Sequence, residues 1–366
     1  MILSIESSCD DSSLALTRID DCTLLWHQKI SQDSYHSHYG GVVPEIASRL
    51  HALHLPKLLE KCAKFLCSLD SSKHSSHKDY ANPFSKIKAI AVTNRPGLSI
   101  TLSEGVCMAN ALALSLNVPI IYINHLKGHI YSLFINQKNI HIDNGLAVLL
   151  VSGGHTQILE FKNYTHITLV ASSLDDSFGE SFDKVAKMLS LGYPGGPIVE
   201  SYALKHPQNE PLFSFPLPLL HDKRLAFSFS GLKNATRLAI AQQKESQGES
   251  TKLDSKFIAK ICASFQNTAC SHLLNKLEKY FNKNGDTFSS FALVGGASAN
   301  TFLRQKIANL CEKFDKKLLL AELEFCADNA AMIGRIACEA YHRGEFSPIS
   351  DSIASKSLTD DFYEDS

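Results

Sequence analysis

The chain has 366 residues, of which 44% are hydrophobic and 20% charged, and its formal net charge is -1. That length suits about two domains with sizeable cores, and the balanced charge removes any overall positive field, so contact with a polyanion has to be local. No apolar run approaches the roughly 18 residues of a membrane helix, Glu6 falls where a secretory leader would be basic or apolar, and ten cysteines without a Cys-x-x-Cys pair argue against a zinc ribbon or a disulfide framework; a cytoplasmic protein with no membrane span is expected.

Taken in chain order, Ile2 to Ile5, Leu14 to Thr17 and Leu24 to Lys29 read as three short strands of a meander. From Pro44 the apolar residues Ile46, Leu50, Leu53, Leu58, Leu59, Cys62 and Leu66 recur at helical spacing. The lysines among them, Lys57, Lys61 and Lys64, read as a solvated face. Ser71 to Ser85 has no apolar period and reads as an exposed loop. Ile87 to Thr93 reads as a buried strand, Leu102 to Leu116 as a helix, and Pro119 to Ile123 as a further strand.

The second half repeats this order. Leu146 to Val151 is a continuous apolar strand, Thr156 to Phe161 its hairpin partner and Ile167 to Ala171 a third strand, followed by a helix from about Gly179 to Leu191. Gln242 to Ser255 reads as a polar loop and Phe257 to Phe281 as a helix. The strand Phe291 to Val294 then leads into a helix starting near Thr301. The last twenty residues are acidic, with few apolar partners, and read as a loose tail.

Two histidines four apart, His125 and His129, point their imidazoles the same way if they lie on a helix. With Asp328 as an oxygen ligand from elsewhere in the fold they can hold a metal and leave coordination positions open. Three small-residue turns follow apolar strands: Glu6 to Asp11, Ser152-Gly153-Gly154-His155-Thr156 and Gly295-Gly296-Ala297-Ser298, the last leading to Asn300. Such turns let backbone N–H groups approach phosphate or ribose oxygens. Asp183, read as opening a helix, can accept hydrogen bonds from ribose, and Tyr193-Pro194-Gly195-Gly196-Pro197 adds a rigid turn beside it.

Together, Ile5-Glu6-Ser7-Ser8-Cys9-Asp10-Asp11, Tyr39 to Glu45, Asn124-His125-Leu126-Lys127-Gly128-His129, Leu150 to Thr156, Phe182 to Lys187, Gly192 to Pro197, Phe227 to Lys233 and Cys326-Ala327-Asp328-Asn329 resemble the TsaD family of tRNA N6-adenosine threonylcarbamoyltransferases. The resemblance implies an α/β, actin-like or Hsp70-like ATPase fold of two duplicated lobes with a nucleotide cleft between them. The lobes are expected at 1–124 plus 315–345 and at 125–314, with 346–366 as the flexible acidic tail. It implies transfer of threonylcarbamoyl from threonylcarbamoyl-adenylate to N6 of adenosine 37 in tRNAs reading codons that begin with adenine, releasing AMP.

On the same resemblance, His125, His129 and Asp328 bind one divalent metal, iron(II) first and zinc(II) as the alternative. Leu150, Val151, Ser152, Gly153, Gly154, Asp183, Gly196 and Asn300 contact the adenylate. Asp10 or Asp11 is the candidate acceptor for the N6 proton. Expected partners are a TsaB-like paralogue as heterodimer mate, a TsaE-like ATPase, and tRNA through its anticodon loop. Departures include Ser7 and Asp11 where the family has Thr and Glu, and Arg95 where it has Gly. Two rival readings are a metalloprotease of the glycoprotein endopeptidase type and a non-enzymatic ATP-binding scaffold. The first conflicts with Leu126, which stands where His-Glu-x-x-His proteases carry their general base.

Overall fold

The structure, a computed structural model, describes residues 1–70, 82–137, 142, 145–247, 253–349, 353–357 and 362–364. The chain forms two compact units, one of Met1–Ser34, Val42–Ile140 and Asp328–Asp361, the other of Tyr35–Gly41, His141–Ala327 and Phe362–Ser366.

In the first unit β1 (Ile2–Glu6), β2 (Asp11–Thr17) and β3 (Leu24–Ser31) form the antiparallel meander. After a single helical turn, α1 (Asp33–His36), the long helix α2 (Pro44–Asp70) leads to β4 (Ala89–Arg95), α3 (Ser99–Leu116), β5 (Ile120–Asn124) and the short α4 (His125–Tyr131). The sheet order is β3-β2-β1-β4-β5, with β4 and β5 parallel to β1. Leu55, Leu58, Cys62 and Leu66 form the apolar stripe of α2 and pack with Leu3, Ile5, Val92 and Val106, which is why a helix with charged residues at the intervening positions is stable there. By length and composition α3 could cross a bilayer, which is weak evidence of a span; its Val106, Ala109 and Ala113 belong to this core.

In the second unit β6 (Leu146–Val151), β7 (Thr156–Asn163) and β8 (His166–Ser172) repeat the meander, followed by α5 (Phe178–Met188), α6 (Gly195–Ala203), α7 (Ser230–Gln247) and α8 (Ser255–Asn284). Then come β9 (Ser290–Val294), α9 (Thr301–Lys313) and β10 (Lys317–Leu320). The order β10-β9-β6-β7-β8-β11 repeats that of the first sheet, read from the other edge, with β11 (Tyr363–Glu364) added. Phe178, Phe182, Val185 and Ala186 turn one face of α5 into its core. The last helix, α10 (Ala330–His342), packs on β1, β2 and α4 of the first unit.

Several expectations are corrected. Helix α4 belongs to the first unit, because it packs on α10, while β10 belongs to the second, because it pairs in parallel with β9. Gln242 to Gln247 continue α7: Gln, Lys and Glu are good helix formers, so polarity alone does not signal a loop. Residues 248–252 and 71–81 lie outside the described residues; Pro83–Lys86 form a 3₁₀ turn capped by Asn82. Nor is the tail loose where it is described. Ser347 N–H donates to Ile120 O, Ala354 N–H to Asn94 O and Asn124 Nδ2 to Ser357 Oγ, while Phe362 is buried and Tyr363 and Glu364 pair with β8. Backbone hydrogen bonds of this kind need no apolar period, so periodicity cannot reveal them.

Candidate functional site

Three parallel strands of the first unit, adjacent in the order β1-β4-β5, bring their carboxyl ends to one edge. Open α/β sheets bind their ligands at such edges. Here the edge carries Glu6, Thr93 and, just beyond Asn124, His125. The side chain of Asn124 caps α4 by accepting the N–H groups of Leu126 (2.9 Å) and Lys127 (3.3 Å). The cap starts the helix at His125, and one turn later it presents His129 on the same face. The ring centroids lie 4.6 Å apart.

Asp328 arrives from the opposite end of the sequence. Asn329 caps α10 by accepting the Met332 N–H at 2.9 Å, which fixes the preceding residue at the helix start. Helices α4 and α10 approach closely because Gly128 has no side chain: a Cβ there would lie 2.9 Å from Ile333 Cδ1. Asp328 Oδ1 consequently lies 3.3 Å from Nε2 of both His125 and His129.

One ligand atom from each of these residues lies within 4.8 Å of the others. A divalent metal fits this set on chemical grounds, two imidazoles and a carboxylate. It also fits on satisfaction: the buried Nε2 of His129 has only the 3.3 Å approach of Asp328 Oδ1, which is too poorly aligned for a good hydrogen bond. Burial favours neutral His129, the form that ligates a metal. Burial opposes charge on His125, but Asp328 and Glu6 outweigh it and hold that imidazole well above its ordinary pKa.

Glu6, which the sequence reading placed at the head of the first turn without a role of its own, is a site residue. It is fully buried, accepts the Ser8 N–H at 2.7 Å and the Thr93 hydroxyl, and lies 3.1 Å from His125 Nδ1. The available signal was an acid ending a mostly apolar strand, where a carboxylate is buried only with partners. Asp11 opens β2 with its carboxylate 2.7 Å from Lys29 Nζ; burial pushes its carboxyl up to about 7 against the pull of that lysine. Asp10 lies half-buried in the bend before it.

The remaining predicted residues lie in the second unit. Leu150 and Val151 have fully buried side chains and end β6. In the following turn Ser152 Oγ accepts the N–H groups of Gly154 (3.3 Å) and His155 (3.1 Å). Asp183 does not open its helix. Helix α5 starts at Phe178 behind the cap Ser177, and Asp183, mid-helix, accepts the Gly195 N–H at 2.7 Å at the start of α6. Asn300 caps α9 by accepting the Leu303 N–H at 2.7 Å and donates to Gln266 Oε1 at 3.0 Å. Glu200 of α6 accepts the Thr301 N–H at 2.7 Å, which ties α6 to the start of α9. Built-in Cβ atoms at Gly153, Gly154 and Gly196 would meet nothing within 4 Å.

Duplicated sheets of this order are those of the actin-like α/β fold, and the His-His-Asp cluster at a strand edge is a group that could hold a metal ion. The crystal structure of HypF from T. kodakarensis shares the fold, with a TM-score of 0.56 at 12% identity over 94% of this chain; this chain spans 48% of that one. The family model TsaD, tRNA N6-adenosine threonylcarbamoyltransferase, matches residues 23–335, and the chain belongs to that family. A relative from Helicobacter hepaticus with that name is 55% identical, covering 99% of this chain and 100% of its own length. One from Helicobacter pylori (strain ATCC 700392 / 26695) is 58% identical over 95% and 96%, and one from Wolinella succinogenes 56% over 94% and 95%.

Proposed function

We propose that the chain transfers threonylcarbamoyl from threonylcarbamoyl-adenylate to N6 of adenosine 37 in tRNAs reading codons that begin with adenine, and that His125, His129 and Asp328 hold a divalent metal, iron(II), for this reaction. Family membership supports the transferase activity. The observation that carries the metal reading is the convergence of both Nε2 atoms on one oxygen of Asp328.

The N6 lone pair is delocalised into the purine, so attack needs an activated acyl group and a proton acceptor. When bound at His125, His129 and Asp328, a divalent metal would supply Lewis-acid chemistry. The open Ser152-Gly153-Gly154 turn holds the adenylate phosphate, and Asp183, Gly196 and Asn300 surround ribose and base. As N6 bonds to the carbamoyl carbon, the bond from that carbon to the phosphate oxygen breaks, AMP leaves, and the N6 proton passes to a carboxylate. Asp10 and Asp11 are the candidates; burial raises the carboxyl of Asp11 to about 7, so it holds a proton more readily than an ordinary one. Adenosine 37 lies in a single-stranded loop, where a base is presented without breaking a duplex. A TsaB-like paralogue and a TsaE-like ATPase are the proposed protein partners, and the cytoplasm the proposed location.

The test is incorporation of labelled threonine into tRNA by a reconstituted system containing His125→Ala, His129→Ala or Asp328→Ala, with metal content measured on each protein. Loss of metal and incorporation together supports the reading. Full incorporation by all three variants overturns the metal role.

A further inference from the structure

We infer that Glu6 is a positioning residue that sets the tautomer of His125 and so makes Nε2, rather than Nδ1, its metal-ligating nitrogen; the inference rests on the metal reading above.

A neutral imidazole carries one N–H, and whichever nitrogen bears it is lost as a ligand. His125 Nε2 faces Asp328 and Nδ1 faces Glu6 Oε2 at 3.1 Å. The carboxylate of Glu6 has no proton of its own to offer, so the bond between them places the proton on Nδ1. Ser8 Oγ also lies 3.2 Å from Nδ1, but a hydroxyl donates as readily as it accepts and cannot fix the tautomer alone.

Glu6 is held in turn. Its Oε1 accepts the Ser8 N–H at 2.7 Å and its Oε2 the hydroxyl of Thr93 on the neighbouring strand β4. With the side chain fully buried on β1, the carboxylate has no solvent to turn towards. Carboxylates behind ligating histidines orient the ring and raise its basicity, and their loss weakens metal affinity about 10- to 100-fold.

Glu6→Gln tests this sharply. With its amide oxygen kept on the Ser8 N–H, the NH₂ group takes the place of Oε2, where it faces the Thr93 hydroxyl, which can turn to accept, and donates to His125 Nδ1. The imidazole proton is then driven onto Nε2, where the metal should bind. Zinc affinity is measured by competition with a chromophoric chelator, and the tautomer of His125 by ¹⁵N NMR of the zinc-loaded protein, with Thr93→Val as a milder variant that keeps the carboxylate. The expected result is ligation of zinc through Nε2 in the parent protein, affinity about 10- to 100-fold weaker in Glu6→Gln, and a smaller loss in Thr93→Val. If Glu6→Gln does not fold, a measurable loss of affinity in folded Thr93→Val decides for the inference, and none decides against it. Parent protein that binds zinc while Glu6→Gln binds it within twofold, or ligation through Nδ1, overturns the role of Glu6 alone. Parent protein that binds no zinc or iron(II) overturns the metal reading and this inference with it.

Discussion

Gly128 on α4 faces Ile333 on α10 so closely that a single added carbon would sit 2.9 Å from Ile333 Cδ1 and 3.3 Å from Met332 Cγ. These two residues set the spacing at which Asp328 meets the two histidines. Because Ile333 Cδ1 is the mobile end of a side chain, Gly128→Ala is expected to fold with little change. The helix-propensity gain of about 1 kcal/mol offsets the crowding. Gly128→Val adds two further carbons at a branch point. It is expected to lower stability by about 1–3 kcal/mol and to weaken metal binding as α4 and α10 separate. Denaturant titration and metal competition on the two variants check the graded response; equal metal affinity in both ends the argument for close approach.

Gly153, Gly154 and Gly196 separate folding from binding in the opposite way. Added Cβ atoms there meet no protein atom within 4 Å, so alanine at each is expected to change stability by no more than about 0.5 kcal/mol. If backbone at these positions touches the adenylate, the same methyl groups occupy ligand space. Binding of a non-hydrolysable adenylate analogue is then expected to weaken tenfold or more, about 1.4 kcal/mol. Gly179→Ala is the contrasting control, since its Cβ would lie 2.5 Å from Ser152 O and disturb the turn itself. Calorimetric titration of the analogue alongside thermal unfolding distinguishes the two classes; undiminished affinity at all three open glycines removes the turns from the adenylate site.

What the sequence discloses here divides by the range of the interactions. The repeated meanders were legible because a short apolar run bounded by turn residues is a local signal, whereas the order of the strands in each sheet rests on long-range pairing. The histidine pair was legible because four-residue spacing on a helix fixes a shared face. Glu6 was not: its partners Thr93 and His125 are 87 and 119 positions away, and no local pattern distinguishes a pinned carboxylate from a strand-ending acid. The helical role of Asp183 was misread for a related reason. Its capping partner is the Gly195 N–H of the next helix, whereas the start of its own helix is set by Ser177, whose hydroxyl accepts the Glu180 N–H at 3.1 Å.

His272 and Asp175 contribute to acid stability in two separate windows. His272 is fully buried between Phe227 and Phe229 and accepts the Ser228 N–H on Nε2 at 3.1 Å. Burial, reinforced by the Lys276 ammonium, pushes its pKa down to about 4 from 6.5. The unfolded chain therefore takes up a proton that the folded chain excludes. The contribution is fully present above the unfolded value and is lost as pH falls from 6.5 towards about 4. At ~1.4 kcal/mol per pH unit this amounts to roughly 3 kcal/mol across the window. Asp175 acts lower on the scale: against its burial, the hydroxyls of Ser228 and Ser230 and the N–H groups of Phe229 and Ser230 hold its carboxyl below the usual range. Its stabilisation is present above 3.8 and lost only as pH falls further. In His272→Gln, whose amide oxygen can still accept the Ser228 N–H, the decline between pH 6.5 and 4 is expected to flatten while the steeper loss below it persists. Urea unfolding at half-unit pH steps checks this, and an unchanged slope in the variant would show that another group titrates in that window.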